Sequence, residues 1–280
     1  MSGEETNASA ASKYYDDADV ADFYRLVWGG ADIHIGRYDS GEETVAKASA
    51  AMTRYLLDLA GLGQGDAVLD IACGYGGTLR LLAERGCYPK GIDIASACVD
   101  EARRANRAAG LDGIITVEIG DFHGIESASA AWDAVICQES LIHSNARPRV
   151  LSEVFRVLRP GGVFAFSDIL TRAGAEIALV EAAFDRLGVQ ADATPRDYRD
   201  MAVAAGFDIL HAEERPHDIR THYDKLAARL ARPVEGLNPG AAGRIAESIS
   251  RWQKALAGGH ITWACFVARK PGPWRRSPIP

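Results

Sequence analysis

The run Ala67-Val68-Leu69-Asp70-Ile71-Ala72 is apolar except for one acid, and it breaks at once into Cys73-Gly74-Tyr75-Gly76-Gly77. A short apolar run bounded by glycines reads as a buried strand, and residues 78–85 then take up helical spacing. This strand, glycine turn and helix constrain the fold more than any other feature, because the same texture repeats downstream. Lys90-Gly91-Ile92-Asp93 is a second strand, followed by a helix over 96–109 with Ser96 placed to cap it. Residues 114–119 and 132–137 are the third and fourth strands, 147–158 is a helix, and Pro160-Gly161-Gly162 turns into a strand over 163–167. Strands alternating with helices in this way predict βαβ units and a parallel sheet covered on both faces.

On either side of this region the pattern is mostly helical. Residues 44–60 carry Val45, Ala48, Met52, Tyr55, Leu56 and Leu59 on one helical face, ended by Gly61 and Gly63. After Asp168 come helices over 175–187, 195–205, 219–230 and 241–256, a strand over 207–213, and a last strand over 261–269. One unit is expected from 13 to 270, with a cap at 13–60, a core at 61–170 and helical additions at 171–260 on the substrate side. Residues 1–12 and 271–280 lack an apolar period and are expected to be loose tails.

Charge and cysteine usage narrow the function classes. Thirty-one basic residues against 38 acidic ones leave a net charge of −7, which argues against a phosphate backbone as the main partner. No stretch approaches the roughly 18 apolar residues of a membrane helix, and the polar, acidic start is unlike a secretory signal. Cys73, Cys87, Cys98, Cys137 and Cys265 are odd in number and never in C-x-x-C spacing. A disulfide framework or structural zinc site is not expected, and a reducing cytoplasm fits. No His/Cys/Asp spacing suggests a metal. A small-molecule acceptor, no nucleic acid, no membrane, and a monomer or homodimer are the expected associations.

The glycine turn discriminates between two ligands. A nicotinamide-binding turn wants G-x-G-x-x-G with pyrophosphate on the helix N-terminus, but Gly74-Tyr75-Gly76-Gly77-Thr78-Leu79 lacks the third glycine. Asp70 before the turn would repel a pyrophosphate and suits a cationic ligand. An acid, one residue and then G-x-G-x-G resembles the first motif of the class I S-adenosylmethionine-dependent methyltransferases, with Ala72 replacing the first glycine. The resemblance implies an α/β, doubly wound Rossmann-like sheet, mostly parallel with an antiparallel C-terminal strand. It also implies Asp93-Ile94 at the ribose, Gly120-Asp121-Phe122 at adenine, and S-adenosylmethionine as methyl donor, with S-adenosylhomocysteine as its product. Tyr15, Asp70, Ala72, Gly74, Tyr75, Gly76 and Gln138 complete the expected cofactor set.

Outside that core the chain resembles the sarcosine/dimethylglycine N-methyltransferases, which make glycine betaine. The likeness runs from about Tyr14 to Lys270. It rests on Trp28-Gly29-Gly30-Ala31-Asp32-Ile33-His34-Ile35-Gly36-Arg37-Tyr38, on Gln138-Glu139-Ser140-Leu141-Ile142-His143-Ser144, and on His222-Tyr223 and Ile261-Thr262-Trp263. Ser167-Asp168-Ile169-Leu170 stands where that family has T-D-P-M. The implied reaction is in-line N-methylation of a small amine, sarcosine or dimethylglycine, with His143 and Asp168 as catalytic candidates. A quaternary ammonium product suits aromatic faces, which Tyr14, Tyr15, Tyr24, Trp28 and Tyr38 supply; the competing reading of these aromatics, favoured for Phe23 and Tyr24 and evenly weighed for Trp28 and Tyr15, is the core of the cap. The acceptor carboxylate needs a cation or donor, for which Arg37, Arg199 and His143 are the candidates. The alternatives are O-methylation of a sugar or other hydroxylated metabolite, with His143 or Asp168 as general base, and a catalytically idle binding subunit on the same fold.

Overall fold

A computed structural model describes residues 14–29, 31–189 and 192–273. The expected tail at 1–12, Gly30 of the aromatic block, and 274–280 of the expected C-terminal tail lie outside the described residues. The N-terminal segment opens with α1 (Ala18–Phe23), capped by Asp17, which accepts from the amides of Asp19 and Val20 at 2.8 and 3.2 Å. It widens into a π-helical turn, Tyr24–Trp28, and stops at Gly29 with φ 144°. Next comes α2 (Val45–Leu59), capped by Thr44.

The sheet begins with β1 (Ala67–Asp70), α3 (Gly77–Glu84), β2 (Tyr88–Asp93), α4 (Ser96–Ala108), β3 (Thr116–Ile119) and β4 (Trp132–Gln138). It continues through α5 (Arg147–Val157), β5 (Leu158–Thr171), α6 (Ile177–Phe184), α7 (Pro195–Ala204) and β6 (Asp208–Glu214). The chain then adds α8 (Pro216–Leu230), α9 (Pro239–Ala257) and β7 (Ile261–Arg269). Strand order is β3-β2-β1-β4-β5-β7-β6; β1 to β5 are parallel and β7 runs antiparallel between β5 and β6. This is the doubly wound sheet expected from the sequence, with its antiparallel closing strand.

One face of the sheet packs on the cap, α2, α8 and α9 through Phe23, Met52, Leu56, Trp252 and Trp263. The other packs on α5 and α7 through Leu151, Val154, Phe164, Phe166 and Tyr198. Strand β5 is longer at both ends than the expected 163–167: the nine rungs with β7 carry it on to Thr171, and Leu158, paired with Trp132 of β4, starts it earlier. Ser96 does not cap α4: Ala95 holds the cap position and no side chain bonds there. Asp93 takes the amide of Ala95 instead, at 2.9 Å. The order reverses at β1, which lies between β2 and β4, and ligands of open α/β sheets bind at the carboxyl ends of such a switch point.

Candidate active site

At that point lies a cleft with about 750 Å³ of atom-free space, counting its open mouth. The glycine turn forms its base. Gly74 has φ 50° and Gly76 φ 75°, left-handed values that glycine adopts without strain, and a Cβ on Gly74 would press on Ile33 from the N-terminal segment. A Cβ on Gly77 would run into the carboxylate of Asp32. Residues 31–33 therefore lie directly against the turn, the start of a strap over 31–36 that brings Ile33 and His34 to the cleft wall.

Of the expected cofactor residues, Tyr15, Ala72, Gly74, Asp93, Ile94, Asp121, Phe122 and Gln138 line the cleft. Asp93 Oδ2 accepts the Gly74 amide at 2.8 Å and Oδ1 the Ala95 amide. The Ile94 amide also acts on this carboxylate; a carboxylate offers about four lone-pair sites, so capacity remains for a ligand hydroxyl. Asp121 Oδ1 accepts from the backbone and ring Nδ1 of His123 at 2.8 and 2.7 Å. The hydrogen bond from His123 holds its carboxyl below the usual range. In the neutral ring, His123 Nε2 then accepts the Ser144 hydroxyl at 2.8 Å. Both printed bonds fall on Asp121 Oδ1, and Ile94 and Phe122 line the same cleft.

Three expected cofactor residues stand behind the lining. Asp70 is 2% exposed; burial pushes its carboxyl up to about 7, against the opposing charge of His34. Tyr75 belongs to the core, and Gly76 shapes the turn without reaching the cleft. Gln138 is fixed by Thr78, whose hydroxyl donates to its Oε1 at 3.1 Å.

The strap is held by residues that the sequence did not single out for a role. Glu139 accepts four donors from three parts of the chain: Ser167 Oγ at 2.5 Å and Trp263 Nε1 at 2.9 Å on Oε1, then His34 Nδ1 at 3.2 Å and the Ile35 amide at 3.3 Å on Oε2. Its φ is 46°. Burial alone would lower the pKa of His34, but the hydrogen bond and charge of Glu139 raise it. The His34 carbonyl accepts from Trp28 Nε1 at 3.1 Å and Ser49 Oγ at 2.7 Å.

The acceptor-side candidates divide. His143, in a short 3₁₀ turn (Leu141–His143), lines the cleft with Tyr15; its Nε2 is 3.3 Å from Tyr15 Oη, and its buried Nδ1 has no partner among the described residues. Burial, with the charge of Arg147, lowers its pKa to about 4. The Tyr15 ring stacks on Tyr24 at 5.9 Å.

Other candidates lie elsewhere. Asp168 faces the opposite side of the sheet, accepting Tyr198 Oη at 2.6 Å, because alternation along β5 turns Ser167 and Ile169, not Asp168, toward the cap. Arg37 pairs with Asp39 and covers the Tyr55 ring, and Tyr38 Oη donates to His222 Nδ1 at 3.0 Å. Arg199 is exposed on α7, in a shallow groove with Arg196 and Asp200. Trp28 is 5% exposed and wedged against Phe23, Tyr24 and His222, so it is core. Cross-strand register also brings His211, Glu213 and Cys265 within 4.8 Å on β6 and β7, a grouping that no sequence spacing signals. Tyr55 and Arg215 already bond Glu213 there.

Sheet order, glycine turn and the two acids closing β1 and β2 define a class I methyltransferase. A methyltransferase-domain family model matches residues 68–162. The chain is 36% identical over 270 residues to a dimethylglycine N-methyltransferase of Parasynechococcus marenigrum, covering 94% of this chain and 96% of that protein. It is 32% identical to a sarcosine/dimethylglycine N-methyltransferase of Halorhodospira halochloris, over 93% of this chain and 95% of that one. A solved structure from Galdieria sulphuraria, named as a candidate sarcosine dimethylglycine methyltransferase, superposes with a TM-score of 0.84 at 29% identity, covering 91% and 99% of the two chains. The chain belongs to the sarcosine/dimethylglycine N-methyltransferase family of S-adenosylmethionine-dependent enzymes. Among the described residues, no helix is long and apolar enough to cross a membrane.

Proposed function

We propose that this enzyme methylates sarcosine and dimethylglycine, with glycine betaine as the end product. The observation that carries this reading is family membership over nearly the whole chain, joined to a cleft whose acceptor wall is the Tyr15 ring and a buried His143. S-adenosylmethionine, when bound, supplies a methyl carbon on a sulfonium, and the amine lone pair forms the new C–N bond as the C–S electrons return to sulfur.

The chain's own residues bind and orient. Asp93 holds the ribose hydroxyls, and Asp121 the adenine amine between Ile94 and Phe122. Asp70, behind the glycine turn, attracts the donor's positive charge. Most of the rate comes from aligning lone pair and methyl carbon, and the strap over 31–36 excludes water from that line. His143 is neutral at ordinary pH because it is buried, so it adds no positive charge beside a cationic donor and a product that is a permanent cation. The face of Tyr15 favours that product by about 0.5–2 kcal/mol. The amine must arrive without its proton, which an alkylammonium gives up near pH ~10, as lysine does. Five buried cysteines, with no disulfide between any two of them among the described residues, suit a reducing cytoplasm.

The test is a panel of acceptors with methyl-labelled donor and purified protein. Label should enter dimethylglycine and sarcosine. Label entering only a sugar or phenol hydroxyl would replace this reading with O-methylation.

A further inference from the structure

We propose that His211, Glu213 and Cys265 bind a zinc ion that fastens the edge strand β6 to β7. The sheet itself assembles the three ligands. Glu213 pairs with Cys265 across the ladder, and His211 stands opposite Val267, two residues further along β7. Opposed residues and residues two apart share a face, so all three side chains rise from one side of the sheet. The register shifts between Ile209 and His211, leaving Leu210 as the extra, exposed residue. Continued without that shift from Ile209 and Ala268, the ladder would pair His211 with Phe266, on the other face. A bulge re-aims the side chains that follow it, and here it brings His211 to Cys265.

The polar atoms converge on one oxygen. His211 Nε2 lies 3.4 Å and Cys265 Sγ 3.9 Å from Glu213 Oε2, and the three ligand atoms all fall within 4.8 Å of one another. Zinc bonds nitrogen and oxygen at about 2.0–2.2 Å and thiolate sulfur at about 2.3 Å in a tetrahedron, so its ligand atoms stand roughly 3.3–3.8 Å apart. Two of the three edges already have that length, and a small turn of the imidazole closes the third. One nitrogen, one oxygen and one sulfur suit zinc, whereas magnesium and calcium take oxygen. The side chains of His211 and Glu213 are 31% and 34% exposed, which leaves the ion a way in and water a fourth position.

The surroundings orient the carboxylate without using it up. Arg215 Nη1 donates to Glu213 Oε1 at 2.9 Å, and Tyr55 Oη to Oε2 at 2.8 Å. Each carboxylate oxygen has two lone pairs, so Oε2 keeps Tyr55 while bonding the ion, and such outer hydrogen bonds tune a ligating carboxylate. The two guanidiniums beside the cluster have acids of their own. Arg215 Nε donates to Asp218 at 2.5 Å, and Arg37, over the Tyr55 ring, donates to Asp39 at 2.9 Å. The Glu213 carboxylate and the Cys265 thiolate thus balance the two charges of the ion. On binding, a sulfur–zinc bond replaces the S–H bond and the proton passes to solvent. These three residues lie outside the cleft lining, so the site stands apart from the acceptor reading.

The experiment titrates Co²⁺, the coloured substitute for zinc, and then Zn²⁺ into tag-free full-length protein first stripped with a chelator. Co²⁺ should bind one per chain and give the near-ultraviolet charge-transfer band of a cobalt–thiolate bond, which Zn²⁺ should displace. Zn²⁺ should also raise the Tm of the wild type, since it binds the folded chain. Cys265→Ala should lose the band. His211→Ala, at a partly exposed position, should weaken Zn²⁺ binding at least about tenfold, equivalent to about 1.4 kcal/mol, and should cut the Tm gain; if Cys265→Ala does not fold, this variant decides the matter. A wild type that shows no band, a band that survives Cys265→Ala, or a Zn²⁺ affinity untouched by His211→Ala overturns the assignment.

Discussion

Glu139→Gln is the most informative single substitution. The carboxylate receives Ser167 and Trp263 on one oxygen and His34 and Ile35 on the other. Glutamine keeps one acceptor oxygen, so whichever way the amide is turned its NH₂ faces two donors. If Oε1 is the oxygen lost, the Ser167 hydroxyl can rotate and recover one bond. Hydrogen bonds to a charged group contribute roughly 1.5–3 kcal/mol each. With one recovered, the net loss is about 1.5–3 kcal/mol, which at an unfolding entropy of about 0.6 kcal/mol/K for a chain of this size lowers Tm by about 3–5 °C.

The loss should depend on pH. Glu139 raises the pKa of His34 in the folded state, so the charged pair contributes fully below the ordinary histidine value and fades as pH rises through the raised one. The gap between wild type and variant, followed by thermal melts from pH 5.5 to 9, should narrow with rising pH. The strap also loosens, so S-adenosylhomocysteine should raise Tm less in the variant. A variant melting within about 1 °C of wild type, with no trend in pH, would show that the strap is held by apolar packing alone.

Asp70, with its carboxyl near 7, is largely protonated at pH 6, so affinity for S-adenosylmethionine should rise about tenfold between pH 6 and 8. Asp70→Asn should flatten that rise in a calorimetric titration, and an unchanged slope would place the titrating group elsewhere. His143→Gln should lower dimethylglycine turnover modestly, because a tertiary amine needs no base during transfer; a fall of about 10²–10⁴ would assign it general-base work. Trp28→Ala should destabilise by about 3–5 kcal/mol, the loss expected for a large aromatic removed from a core. A stable variant with impaired turnover would instead put Trp28 at the acceptor.

The alternation from β1 to β5 is legible because short apolar runs alternate with segments of helical period, and the family resemblance then singles out Asp93 and Asp121 just past the apolar runs of β2 and β3. Chain-local signals did less well for side-chain direction. Asp168 adjoins Ser167, yet period-two alternation sends it to Tyr198. Arg199 adjoins the buried Tyr198, and one helical step turns it into solvent. The anchoring role of Glu139 could not be read from the chain, because its partners lie far away in sequence. Trp263 is 124 positions from Glu139 and His34 is 105. An aromatic block such as Tyr14 to Tyr38 looks the same whether it lines a cleft or fills a core. Only packing separates Tyr15, at the cleft, from Trp28, inside.

The rate of betaine formation from dimethylglycine and labelled S-adenosylmethionine, followed from pH 7 to 9, reaches the centre of the matter. An enzyme that aligns a neutral amine should show kcat/KM rising about tenfold per pH unit. A donor that binds in the cleft while no label enters betaine at any pH would contradict N-methylation of this acceptor outright.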